Sequence, residues 1–96
     1  MNVDKAKKRI AKQVKKGFSG YPKVSIEYFG KTSDSACEVV ITFMLEENAE
    51  PQEQKLMSVN DAREDETVQS TLVKIIERTN ATTVVEVEGV SIINSL

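Results

Sequence analysis

The side chains that most often carry chemistry are thinly represented in this chain. Histidine is absent, which removes the commonest general base and the commonest metal ligand together. Cys37 is the single cysteine. A thiolate nucleophile needs a neighbouring base or positive surroundings to lower its pKa, whereas Cys37 falls in phase with Val39 and Ile41 and is expected to act as a small core hydrophobe. The carboxylates Asp61, Glu64, Asp65 and Glu66 are dense enough to suggest a hard-cation site. They lack the ordered ligand spacing and central glycine of a calcium loop, and acid at the start of a helix has a plain structural use. The glycines at 17, 20, 30 and 89 never fall into a phosphate-cradling spacing. No catalytic residue, cofactor or metal is expected, and an enzyme is the least supported class.

One stretch does concentrate a single chemistry. KAKKRIAKQVKKGF, residues 5–18, places seven lysines and arginines in fourteen positions. Helical spacing gathers Lys5, Lys8, Lys12 and Lys15 on one stripe, with Lys7, Arg9 and Lys16 on its flanks. Phe18, Tyr21 and Lys23 follow directly, and aromatic rings beside basic side chains are how single strands are stacked and held. The candidate binding set is therefore Lys5, Lys8, Arg9, Lys12, Lys15, Lys16, Phe18, Tyr21 and Lys23. Lysine dominates and Arg9 is the only arginine among them, so reading of base edges by bidentate arginine is not expected. The apolar side of the same stretch is too small to hold a helix in a membrane interface.

The charge is divided along the chain. Residues 1–31 carry +7 and residues 32–96 carry −9, which together give the net −2. Eight carboxylates in 46–53 and 61–66 are available to neutralise the basic face, either within one molecule or across two copies. The composition and these charges suggest a non-catalytic interaction domain that self-associates as a homodimer or binds a protein partner. The alternative is sequence-nonspecific nucleic-acid binding through the basic N-terminal helix.

The elements that position these residues follow from periodicity. Val3, Ala6, Ile10, Val14 and Phe18 form the apolar stripe of a first helix, capped by Asn2 or Asp4 and ended by Gly17. KVSIEYF and ACEVVITFMLE alternate as a hairpin pair, with Val24, Ile26 and Tyr28 facing Cys37, Val39, Ile41, Phe43 and Leu45 inward. ENAEPQEQ is expected as a loop and KLMSV as a short third strand. Val68, Leu72, Ile75 and Ile76 then recur at helical spacing. TTVVEVEGVSII closes the chain as a strand, with a bulge or bend at Gly89 where the apolar phase changes.

The order α-β-β-(β)-α-β predicts an α+β fold in one domain, residues 1–96. It would have two layers: a mostly antiparallel sheet of three to four strands with two helices on one face. Helix, three strands, helix is also the element order of double-stranded-RNA-binding domains. Those domains place basic residues at the start of their second helix, where this chain reads AREDET, and no family is assigned. Without a disulfide, an apolar run of membrane-spanning length or a secretory signal, a cytoplasmic setting is expected.

Overall fold

Two helices and four strands assemble from these patterns: α1 (Val3–Lys15), β1 (Lys23–Gly30), β2 (Glu38–Met44), β3 (Gln52–Met57), α2 (Glu66–Arg78) and β4 (Thr83–Ile92), with a 3-10 turn at Ala62–Glu64 before α2. The computed structural model describes residues 2–93. Asn2 caps α1, its side-chain oxygen accepting from the Lys5 amide at 2.8 Å. Gly17 ends that helix with φ +71°, a left-handed conformation that glycine adopts without penalty.

The sheet order is β3-β2-β1-β4. β1 pairs antiparallel with β2, and β2 with β3. β4 runs parallel to β1, so the sheet is mostly antiparallel, as expected, with one parallel pair. The cause is the crossover. Strand β4 follows α2, and a helix laid over the sheet returns the chain in the direction of the strand it joins. Around Gly89 the register skips, Ile26 facing Glu86 and Tyr28 facing Val90. This is the bulge expected from the change of apolar phase.

Both helices cover one face. Val24, Ile26 and Tyr28 of β1, Val39 and Ile41 of β2 and Val84 of β4 form the floor of the core. Ala6 and Ile10 of α1, with Val68, Leu72, Val73 and Ile76 of α2, close it from above. The molecule is a slab of 34 × 33 × 19 Å, and the short dimension is that of one helix layer on one sheet layer. Gly30 sits where a Cβ would run into the Ser35 carbonyl as the β1–β2 loop folds back, so this close approach requires glycine.

Several residues depart from their expected places, each for a local reason. Phe18 is 67 % exposed because the reversal at Gly17 takes it off the apolar stripe of α1. Leu45 is 61 % exposed because β2 ends at Met44. β3 begins at Gln52, inside the segment expected to be a loop. It is an edge strand with mainly exposed side chains, so no alternation of apolar residues betrays it.

Two members of the acidic cluster, Asp61 and Asp65, hold the turn into α2. Asp61 accepts from the Arg63 amide at 3.1 Å, from Arg63 Nε at 3.0 Å and from the Ala36 amide at 3.3 Å through one oxygen. Its other oxygen takes the Arg63 guanidinium at 2.8 Å, and the same guanidinium donates to the Asp34 carbonyl at 2.9 Å. The β1–β2 loop is thereby tied to the entry of α2. Asp65 caps α2, accepting from the Val68 amide at 3.1 Å and from the Ser58 hydroxyl at 2.7 Å. Below them Gln69, 1 % exposed, donates to the Tyr28 hydroxyl at 2.9 Å and to the Ala62 carbonyl at 3.0 Å, which satisfies a buried amide that would otherwise be costly.

The hydrogen bonds from Arg63 hold the Asp61 carboxyl down at about 2, against a smaller opposing effect of desolvation. A depressed folded-state pKa stabilises the fold above the ordinary carboxyl value, and that contribution is lost as pH falls through the folded-state value. Stability should therefore decline between about pH 4 and about pH 2. Asp61→Asn is expected to lower stability by about 1–2 kcal/mol at neutral pH and to flatten that acid limb. Thermal unfolding followed by circular dichroism across the pH range checks both; an unchanged acid limb would remove Asp61 from this role.

Candidate functional site

α1 has two opposed sides. Ala6 and Ile10 are buried in the core and Val3, Gln13 and Val14 are half-buried, while Lys5, Lys8, Lys12 and Lys15 are exposed on the far side. Lys16 follows as the C-cap residue, also exposed. At about 1.5 Å per residue the stripe from Lys5 to Lys15 is about 15 Å long. Its last lysines lie at the helix C-terminus, the pole that favours positive charge.

The acidic part of the chain neutralises only the flanks of this face. Lys7 pairs with Glu64, and Arg9 pairs with Glu77 of α2 at 3.4 Å. All four side chains are well exposed, so these pairs set orientation more than stability. Among the described residues, the ammonium groups of Lys5, Lys8, Lys12, Lys15 and Lys16 have no ion-pair partner. None of the carboxylates of 46–53 pairs with α1 either.

The aromatic end of the site is built by the strand that closes the fold. Thr83, fully buried, accepts from the Ser19 amide at 2.8 Å and donates to the Gly20 carbonyl at 2.7 Å. Thr82 donates through its hydroxyl to the Tyr21 carbonyl at 3.1 Å. This fastens the loop after α1. Phe18 stands out from it with Tyr21 edge-on, their centroids 5.6 Å apart. Phe18 is thus an exposed ring placed just beyond Lys15 and Lys16.

Of the nine candidate residues, Lys5, Lys8, Lys12 and Lys15 share the exposed stripe of α1 and Lys16 follows it, while the exposed Phe18 stands beyond Gly17 with Tyr21 against its ring. Arg9 lies at the border of the stripe, already engaged by Glu77. Lys23 does not belong. It opens β1 next to Val24, which faces the helices, and alternation turns its side chain to the opposite face of the sheet. Glu64 belongs to the acidic segment 61–66 that the sequence offered as neutralising charge, whereas Glu77 carried no such signal, since only the packing of α1 against α2 brings it to Arg9.

A cleft of about 240 Å³ lies between Lys7, Tyr28, Arg63, Gln69 and the bulged segment of β4 that includes Glu86. Several of its polar groups are engaged: Arg63 with Asp61 behind the cleft, Lys7 with Glu64, and Gln69 with Tyr28. Partial burial pushes the Glu86 carboxyl up, opposed by Lys7, and burial raises the Tyr28 phenol despite the Gln69 bond. Neither has an adjacent nucleophile to activate. Cys37 is half-buried at the start of β2; its amide donates to the Phe29 carbonyl at 3.0 Å and its carbonyl accepts from the Ser58 amide at 2.9 Å. Among the described residues, no three of Cys, Asp and Glu stand close enough to hold a metal ion together, and no helix is long and apolar enough to cross a membrane.

Because the lysine stripe lies opposite the core side of α1, replacing Lys8, Lys12 and Lys15 by Gln should leave stability within about 1 kcal/mol of the parent. Ile10→Ala on the other side should lower it by about 2–5 kcal/mol. Parallel denaturant titrations check the contrast, and comparable losses in both variants would mean that the lysines support the fold.

Comparison with known proteins finds no family model, no curated protein and no solved structure that matches the chain.

Proposed function

We propose that this chain is a non-catalytic, cytoplasmic interaction domain that docks an acidic protein surface through the outer face of α1. The observation that carries this reading is the row of five exposed lysines that no acid among the described residues pairs, although the chain has fifteen acidic residues. Lysines without partners on a chain of net negative charge supply a local field of opposite sign, which steers and orients an anionic partner.

The length of the stripe favours a compact acidic segment over a long polyanion. About 15 Å matches a few turns of helix or a short extended peptide. A duplex running further would meet Glu64 and Glu77, which border the same helix, and then the acidic remainder of the surface. Lysine also offers point charges without the planar fork that reads bases. One observation does favour the second reading, short single-stranded nucleic acid: Phe18 stands exposed beside Lys15 and Lys16, where a base could stack.

The test uses two labelled probes of equal charge, an oligoglutamate peptide and an oligonucleotide, titrated at about 50 and about 200 mM salt. The peptide is expected to bind and to weaken with salt. The triple variant Lys8→Gln, Lys12→Gln, Lys15→Gln should lose about 1.5–3 kcal/mol, roughly ten- to a hundredfold in affinity, if each exposed pair contributes about 0.5–1 kcal/mol. Absence of peptide binding at the lower salt, or equal binding by the variant, would contradict the proposal. Tighter binding of the oligonucleotide, lost on Phe18→Ala, would replace it with the second reading.

A further inference from the structure

The sheet has a second broad face that no element among the described residues covers. β4 shows it most clearly. Val84 points into the core while its neighbour Val85, 38 % exposed, and then Val87, 41 % exposed, lie on the opposite side. Val85 faces Ser25 and Val84 faces Val24 across the parallel pair. Apolar residues on both sides of a strand, in a parallel pairing, are the pattern of a strand covered on both faces. Here only one face is covered. Phe29 and Val40, both half-buried, extend the valines across β1 and β2 around a shallow hollow of about 300 Å³. Lys55 and Glu53 on β3, with Glu38 on β2, form a charged border.

We infer that this face is the seat of a second copy of the chain, two sheets packing face to face into a four-layer α/β/β/α dimer. Three features of the molecule select a copy of itself as the occupant. The first is charge. The two broad faces of the slab differ, and two copies meeting through the helix layer would set lysine stripe against lysine stripe. The sheet face instead carries both signs, with Lys55 already 3.5 Å from Glu38, so a copy turned about a two-fold axis meets no field of its own sign. The second is extent. Four strands at about 4.8 Å spacing and about 25 Å length give about 500 Å² in projection, which side-chain relief brings towards the ~800 Å² per partner of a stable interface. The third is distribution. Phe29, Val40 and Val87 gather around the hollow, where Glu27 of β1 already accepts from the Ser91 hydroxyl at 2.7 Å. Glu53 and Lys55 lie on the β3 edge and Glu38 at the end of β2. A two-fold axis over the hollow therefore places the apolar side chains near the centre and most charges at the wet rim, the usual anatomy of an interface. The dimer would hold its two α1 helices on opposite outer surfaces. Two basic faces per particle would then be presented to an acidic partner with more than one site.

Sedimentation equilibrium of the full chain at about 100 µM tests this. The expected mass is twice the 10.7 kDa of one chain. The double variant Val85→Glu, Val87→Glu should dissociate at least tenfold more readily while keeping the parent far-UV circular dichroism. Should that pair disturb the strand, the single Val87→Lys variant takes its place. The variant Lys8→Gln, Lys12→Gln, Lys15→Gln should dimerise like the parent. A parent chain that stays monomeric at this concentration overturns the inference, as does a dimer indifferent to the valine substitutions or one lost with the lysines. A monomer that still binds oligoglutamate would leave the role of α1 standing, so the two proposals fail separately.

Discussion

Both amphipathic helices bury their apolar stripes on the same face of one sheet, and the rest of the molecule follows from that constraint. β1 makes it possible, since Val24, Ile26 and Tyr28 alternate inward at the centre of the sheet. Ile10 from α1 and Leu72 from α2, both essentially buried, settle on this floor. Full burial of each such side chain contributes about 1.5–3 kcal/mol, an amount that no surface ion pair here approaches. The helices are therefore positioned by their apolar sides, and whatever lies opposite is left to solvent. For α1 that residue is lysine. For the sheet it is a face of valines, a phenylalanine and scattered charges.

The disposition of the acids explains why the lysines are left free. Asp61 and Asp65 hold the entry of α2 to Arg63, Ser58 and nearby backbone amides. Glu64 and Glu77 reach α1 only at its edges, through Lys7 and Arg9. Carboxylates committed to caps and loop ties cannot also cover a helix face on the far side of the core. A chain of nearly balanced charge thus keeps a one-signed surface, because geometry rather than total charge decides which ions meet.

Much of this was legible in the sequence, and the failures share a cause. The stripe of α1, the β1–β2 hairpin, the periodic run of α2 and the bulge at Gly89 are local patterns written at spacings of two or of three and four. The direction of β4 is not local: whether a last strand runs parallel or antiparallel depends on where its crossover helix lands. β3 was partly hidden because QEQ at an exposed edge has no inward side to mark. Gln69 escaped notice as a core residue because only the Tyr28 hydroxyl and the Ala62 carbonyl, brought together by the fold, make its burial tolerable. For the site, the lysine stripe could be read from spacing alone. The exclusion of Lys23 follows from spacing as well, since the alternation that turns Val24 inward turns its neighbour Lys23 to the other face of the sheet.

The most direct measurement of the division between a core-facing and a partner-facing side of α1 is residue-resolved. Amide nitrogen–proton spectra of the labelled chain, titrated with an oligoglutamate peptide, report where an anionic segment lands. The result expected is a set of shifts concentrated at residues 5–18, saturating with added peptide and reversed by salt, with β2 and β3 unmoved. Shifts centred on the sheet while α1 stays silent would contradict the assignment of docking chemistry to the lysine face.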